Sequence, residues 1–418
     1  MTVDKYRLVW ICALLVAAPT TSLAQPGDGS VLPFPATPSA SVARPRLQDS
    51  TMKRRVEPNR LPADAPNILI ILIDDVGFGV PDTFGGFAHT PTLTRLANEG
   101  ISFNRFHTTA ICSPTRASLL TGLYPDNAGV PGVIRTPLPD RPTSWGMLRD
   151  VPMLPAVLKK SGYHTALVGK WHLGLQAPHR PTDRGFDHFH GWLGDMMDDY
   201  YTHLRHGIPY MRLGTDLIKP DGHATDLFSQ WASDYIVDRS SNHAGQPFFL
   251  YLAYNAPHTP IQPPEDWFEK VKAREPGISD KRAKLVALIE HMDHGIGQVL
   301  ETIKKQEIAK ETLVVFTSDN GGQSNVGGRN APLRGGKQEM WEGGLRVGTC
   351  VTWPGTIAAG SRSGYRGITM DFYPTLAEAA GAGIGHPIDG RSFLSVLLGK
   401  QKDLPGRDLV WVRLEGNR

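Results

Sequence analysis

The feature that most constrains this chain is a repeated punctuation, in which runs typical of buried strands end abruptly in polar clusters. Residues Asn67 to Ile73 read Asn-Ile-Leu-Ile-Ile-Leu-Ile and stop at Asp74–Asp75. An apolar run without alternation is expected of a strand covered on both faces, as in a parallel sheet. The pattern recurs three times. His164–Val168 leads into Gly169–Lys170–Trp171–His172, Phe248–Tyr254 into Asn255–Ala256–Pro257–His258, and Leu313–Phe316 into Ser318–Asp319–Asn320–Gly321–Gly322. Helix signals lie between these runs. Thr90 is a candidate N-cap with Pro91 behind it, Met153–Lys160 is stopped by Gly162, and Ser279 opens a long stretch striped by Leu285, Leu288, Met292, Ile296 and Ile303. This order predicts an α/β fold with a large, mostly parallel sheet flanked by helices. Open sheets of this kind bind ligands at the carboxyl ends of their strands, so clusters distant in sequence are expected on one rim.

Composition removes several rivals. With 40% hydrophobic and 20% charged residues, wholesale disorder is excluded. Lys+Arg 44 against Asp+Glu 41 leaves a formal net charge of +3, without the basic excess of a dedicated nucleic-acid binder. Three cysteines, Cys12, Cys112 and Cys350, cannot build a disulfide framework. At the N-terminus, Lys5 and Arg7 precede the apolar run Leu8–Ala18, and Ser22 and Ala24 are small residues before Gln25. Residues 1–24 are therefore expected to be a cleaved export signal, giving a periplasmic or secreted protein with no membrane span after cleavage. Residues 25–64, rich in Pro and Ser, read as a linker, and residues 65–400 as one catalytic domain.

The strand-end clusters sort by chemistry. Asp74, Asp75, Asp319 and Asn320 form an all-oxygen set suited to a hard cation, Ca²⁺ or alternatively Mg²⁺. Arg116, Lys170, His172, His258 and Lys337 form the complementary cationic set, able to cradle a compact anion. His203 and His206 are candidates for a pocket wall, and the other histidines read as surface or structural residues. The segment Cys112–Ser113–Pro114–Thr115–Arg116–Ala117–Ser118–Leu119–Leu120–Thr121–Gly122 carries the remaining signal. A cysteine opening a helix is a candidate thiolate nucleophile, so Cys-His hydrolysis competes at this point. It leaves the carboxylate cluster without a purpose.

The Cys-x-Pro-x-Arg segment with its Ala-Ser-Leu-Leu-Thr-Gly continuation resembles the signature of type I, formylglycine-dependent sulfatases. The resemblance extends through Asp74–Asp75–Val76–Gly77–Phe78–Gly79, Gly169–Lys170–Trp171–His172–Leu173–Gly174, Pro257–His258, Asp319–Asn320–Gly321–Gly322, Leu333–Arg334–Gly335–Gly336–Lys337 and Trp341–Glu342–Gly343–Gly344. Pro181–Asp187 and Asp199–Tyr200–Tyr201 are similar to the arylsulfatase B, or N-acetylgalactosamine-4-sulfatase, branch. The resemblance implies an alkaline-phosphatase-like fold and hydrolysis of aryl or carbohydrate sulfate monoesters. It implies that Cys112 is converted by a formylglycine-generating enzyme to Cα-formylglycine. Asp74, Asp75, Asp319, Asn320 and modified Cys112 would hold Ca²⁺. Arg116 would orient the hydrated aldehyde, and His172 would act as base on its second hydroxyl. Lys170, His258 and Lys337 would bind sulfate, with His258 or Lys337 protonating the leaving oxygen.

Two other readings stay open from sequence. One is a phosphomonoester or phosphonate hydrolase of the alkaline-phosphatase superfamily. The other is an inactive binder of sulfated glycans with unmodified Cys112. The segment 195–226 and the loop Gly327–Arg329 are expected to shape the pocket. Residues 401–418 are expected to begin a C-terminal antiparallel subdomain that is otherwise truncated, with Asp408–Arg413 as a lone strand.

Overall fold

The computed structural model describes residues 41–52, 61–62, 64–136 and 150–412. Residues 1–24, expected to be an export signal, most of residues 25–64, expected to be a linker, and residues 413–418 lie outside the described residues. The chain divides into two compact units, residues 1–60 and 61–418. In the first, Val42 and Thr51 exchange backbone hydrogen bonds of 2.9 Å around the short turn Leu47–Asp49.

The second unit is built on one large sheet. Its strands are β1 (Asn67–Ile73), β2 (Ile101–His107), β3 (His164–Lys170) and β4 (His188–Trp192). The small hairpin β5 (Leu204–Arg205) and β6 (Ile208–Pro209) stands apart from it. Then follow β7 (Met211–Leu213), β8 (Asp216–Leu217), β9 (Phe248–Ala253), β10 (Thr312–Ser318), β11 (Arg346–Thr352), β12 (Ser361–Ser363) and β13 (Gly367–Ile368). The spatial order is β12-β2-β11-β10-β1-β9-β3-β4-β7-β8, with β13 also on β2. The centre, β10-β1-β9-β3-β4, is parallel, whereas β11 and β7 pair antiparallel on either side. β9 and β10 are buried at every position, as expected of strands packed between helical layers.

Register sets the site. Ile73 lies opposite Ser318, Leu72 opposite Ala253, and Gly169 opposite Ala253. The residues that follow these strands therefore leave the sheet on one edge. Gly169 is required there: its φ is 102°, and a Cβ would lie 2.0 Å from the Ala253 carbonyl oxygen.

The helices form where their signals lie, but the capping chemistry differs at one. Helix Pro91–Glu99 has Thr90 at its N-cap position without a side-chain cap. Asp293, from the long helix Asp280–Lys305, instead accepts from the Thr92 and Leu93 amides at 2.9 and 3.0 Å. Thr90 hydroxyl donates to Asp82. Residues 408–412, expected to start a strand, join no ladder. Among the described residues no strand pairs with it, and side chains hold this segment, as described below.

Candidate active site

Cys112 opens the helix Cys112–Thr121, every residue of which is buried. Its Sγ and one carboxylate oxygen from each of Asp74 and Asp319 lie within 4.8 Å of one another. Arg116, one turn further on, is completely buried between the strand ends. Its Nη2 donates to Asp319 at 2.9 Å and Asp74 at 3.2 Å, and its Nη1 to the Lys170 carbonyl at 3.0 Å. One guanidinium thus ties together β1, β3 and β10, which a planar fork of donors does and an ammonium cannot. Lys170 closes on Asp74 at 2.5 Å, and Lys337 on Asp75 at 2.6 Å. His258 Nε2 stands 3.7 Å from Asp75. Asp75 and His172 adopt φ of 65° and 59°. Such left-handed backbone at non-glycine residues is strain of the kind that gathers at functional sites.

Two buried oxygens argue for a cation. Asp74 Oδ1 and Asn320 Oδ1 have no hydrogen-bond partner. Asn320 spends its amide hydrogens on Asp75 at 2.7 Å and the Gly321 carbonyl at 3.0 Å, which leaves its oxygen free. An orphaned buried carboxylate oxygen costs several kcal/mol unless something positive meets it. All-oxygen donors suit a hard divalent ion, and the residues present fit one.

The charges point the same way. Burial would push Asp74 up, but Lys170, His258, Arg116 and Lys337 outweigh it and hold the carboxyl well below its usual range. Asp319 goes the other way: burial and the Asp74 charge push it up to about 7 against the pull of Arg116. The pair cannot hold two full negative charges there without further positive charge. Burial pushes the Cys112 thiol up to about 11, although Lys170 and Lys337 pull it down. The unmodified cysteine is thus a protonated thiol at neutral pH, which disfavours the thiolate mechanism.

The histidines divide. His258 Nδ1 donates to the Thr259 carbonyl at 3.0 Å, leaving Nε2 bare toward Asp75. Burial, then Lys337, lowers His258. His172 Nε2 donates to the Ile134 carbonyl at 2.6 Å and also meets Ser113 Oγ at 2.9 Å. Its Nδ1 is buried and unpartnered, so Nδ1 is the nitrogen able to accept a proton. Burial and Lys170 hold His172 well below its usual value, against an upward pull from Asp195. His203 is buried and donates from Nε2 to the Gly222 carbonyl, so it stiffens the wall. His223, Asp226 and His291 also converge, but both His223 nitrogens are engaged, one by Thr225 N–H and one on the Gln262 carbonyl.

Every predicted metal and sulfate-binding residue is therefore drawn to one rim. Sequence reasoning missed Tyr200, whose hydroxyl donates to the His258 carbonyl at 2.9 Å. It also missed Asn330, which braces Gly322 through both backbone groups at 2.9 Å. Thr108 and Thr115, buried beneath the Cys112 turn, were missed as well. Only the tyrosine had a signal, its place beside Asp199 and Tyr201.

Comparison with known proteins agrees with this geometry. Residues 66–382 match the Sulfatase family model. Human N-acetylgalactosamine-6-sulfatase is 34% identical over 366 residues, covering 81% of this chain and 67% of that protein. Mouse arylsulfatase J is 34% identical over 326 residues, covering 75% of this chain but 52% of that protein, so the chain spans about half the length of that relative. The crystal structure of Ps i-CgsB in complex with k-i-k-neocarrahexaose superposes with a TM-score of 0.74 at 32% identity, covering 81% of this chain and 77% of that one. The matched residues contain the Cys112 segment, the paired aspartates and the cationic ring, and this chain belongs to the sulfatase family.

Proposed function

We propose that this protein hydrolyses sulfate monoesters, with carbohydrate sulfates as the substrate class. The observation that carries the reading is the position of Cys112, at a helix N-terminus beside the Asp74 and Asp319 carboxylates and among Arg116, Lys170 and Lys337. Oxidised to Cα-formylglycine by a formylglycine-generating enzyme and hydrated, residue 112 would supply two geminal hydroxyls, one to attack sulfur as the alcohol departs and one whose deprotonation would re-form the aldehyde and expel sulfate. Asp74, Asp75, Asp319 and Asn320 would hold a Ca²⁺, which would supply Lewis-acid stabilisation of the anionic ester.

The chain's own groups do the rest. Three carboxylates, Asp74, Asp75 and Asp319, face three basic side chains, Arg116, Lys170 and Lys337. A divalent ion tips this balance positive, as an anionic substrate requires. Arg116 fixes the geometry of Asp74 and Asp319 and takes no part in proton transfer, since both carboxylates keep it charged. Lys170, Lys337 and His258 meet the sulfate oxygens. Burial works against the Lys337 charge, but Asp75 outweighs it, so Lys337 is a loaded proton donor for the leaving oxygen at neutral pH. His258 is the second candidate for that proton. His172 Nδ1 accepts the proton of the second hydroxyl.

Substrate position is a finer matter. The motif residues similar to the 4-sulfatase branch act in the scaffold: Asp183 pairs with Arg180, and Asp187 accepts from the Thr165 amide at the start of β3. They carry no information about which sulfate is cut. The segment 195–226 and the Gly327–Arg329 loop remain the proposed pocket walls. The leader Lys5–Ala24 supports export to a periplasmic or extracellular compartment.

The test uses full-length protein made with a formylglycine-generating enzyme present. Peptide mass at Cys112 and turnover of an aryl sulfate against the matching aryl phosphate are measured together. Aldehyde at residue 112 with preference for sulfate is expected. Preference for phosphate would favour the phosphomonoesterase reading, and a thiol-only peptide with no turnover would favour a binding protein.

A further inference from the structure

We infer that Trp411 is a positioning residue for the turn that carries Cys112. The segment from Leu404 to Val412 has no regular secondary structure, yet it is fastened at several points. Arg407 pairs with Asp371, whose carboxylate is wholly buried and also accepts the Ile368 and Arg391 amides. Arg391 donates to the Pro405 carbonyl at 2.6 Å. Trp411 Nε1 donates to the Thr108 carbonyl at 2.8 Å. The Trp411 ring stands 5.7 Å from that of His107 and packs against the small apolar cluster Ala110, Ile111, Cys112 and Leu345.

Thr108 is the junction. Its hydroxyl donates to the Asp319 carbonyl at 2.6 Å and meets Thr115 Oγ1 at 2.5 Å, inside the Cys112 helix. Its amide donates to the Leu345 carbonyl at 2.8 Å. One indole therefore bears on a residue that touches both the metal-binding strand end and the helix that presents Cys112. Side chains flanking Trp411, Val410 and Val412, are exposed, so this part of the segment is held by the indole and not by burial of its neighbours. A strap fixed at Arg407 and Trp411 sets where the turn 108–111 lies. That in turn sets where residue 112 stands relative to Asp74 and Asp319. What residue 112 then does rests on the sulfatase reading; the positioning itself does not.

The two free cysteines among the described residues, Cys112 and Cys350, supply a test independent of activity. Cys112 and Cys350 are both buried, and Cys350 lies on β11 within the main core, where it reports global loosening. Full-length protein made without the modifying enzyme is treated with iodoacetamide, and each cysteine peptide is quantified by mass. Trp411→Ala is expected to raise Cys112 labelling about tenfold while Cys350 stays unchanged, the mark of local opening. Trp411→Phe, which keeps the ring and loses the N–H, is expected to fall between Trp411→Ala and the parent. In matured enzyme, Trp411→Ala should lower kcat roughly tenfold or more with little change in KM, as misplacement of a reacting group does. Unchanged Cys112 labelling in Trp411→Ala overturns the inference. A parallel rise at Cys350 also overturns it, because Trp411 would then be a general fold contact. If the matured parent turns over no aryl sulfate, the sulfatase reading fails and the labelling still decides the role of Trp411.

Discussion

Arg116 offers the sharpest test of how this site is held together. Its guanidinium is completely buried and makes contacts to Asp319, Asp74 and the Lys170 carbonyl between 2.9 and 3.2 Å. Replacing it with methionine keeps most of the volume and strands the Asp319 carboxylate beside Asp74, which keeps its Lys170 partner. Removing one partner of a buried ion pair costs about 3–5 kcal/mol. For a unit of this size that lowers the melting temperature by roughly 4–7 °C. Arg116→Lys restores the charge but not the fork, and should recover less than about half of the loss. The loss must also depend on pH. Asp319 already sits at about 7, far above its ordinary value, because of burial and the Asp74 charge. A carboxyl raised in the folded state stabilises the protein while protonated, and that contribution is lost as pH rises through the folded value. The Arg116→Met deficit should therefore be larger at pH 8 than at pH 5. Adding Asp319→Asn removes the stranded charge and should return about 1–3 kcal/mol, a coupling readable in a double-mutant cycle. Thermal unfolding of metal-free protein at both pH values is the assay. If Arg116→Met melts within about 2 °C of the parent at pH 8, or if the two substitutions are additive, the account of Arg116 as the electrostatic clamp is wrong.

Other outcomes follow from the same geometry. Adding Ca²⁺ should raise the melting temperature more at pH 8 than at pH 5, because binding must displace the proton on Asp319; equal shifts in a thermal titration would count against the proposed ligand set. Cys112→Ser should abolish steady-state turnover of aryl sulfate yet accumulate covalently sulfated protein by intact mass, since a serine has no second hydroxyl with which to expel sulfate. Gly169→Ala places a Cβ 2.0 Å from the Ala253 carbonyl at a φ of 102°, and should lower soluble yield or melting temperature well beyond the roughly 1 kcal/mol of an ordinary loop glycine. Asp293→Ala should cost about 1–3 kcal/mol in urea unfolding, by leaving the Thr92 and Leu93 amides without acceptors.

Much of the site could be read along the chain because its residues follow strand ends, and a strand end is a local event. Asp74–Asp75, Gly169–Lys170, Ala256–Pro257–His258 and Asp319–Asn320 each announce themselves by an apolar run that stops. A parallel sheet then brings those stops to one edge without further instruction, since its strands run the same way. The Cys112 segment was legible for a different reason: its motif is contiguous.

Contacts made by partners far apart in sequence were not legible. Helix Pro91–Glu99 carries a capping signal at Thr90, yet its amides are met by Asp293, about two hundred residues away. A cap needs only an oxygen in the right place, and nothing local says which chain segment supplies it. Asp74 and Asp319 look alike in sequence, but the cations around Asp74 overcome its burial and hold its carboxyl down, whereas burial and the Asp74 charge push Asp319 up. Residues 408–412 have the composition of a strand, and no ladder forms, because hydrogen bonding along a strand depends on a neighbour that sequence does not name. The sequence by itself determined the four central strands β1, β3, β9 and β10, the rim on which they end and the residues proposed to carry the chemistry. Only the tertiary structure decided which oxygens stay unpaired, which histidine nitrogen is bare, and that Trp411 hydrogen-bonds the Thr108 carbonyl beside the turn bearing Cys112, since these depend on distances between segments that only packing brings together.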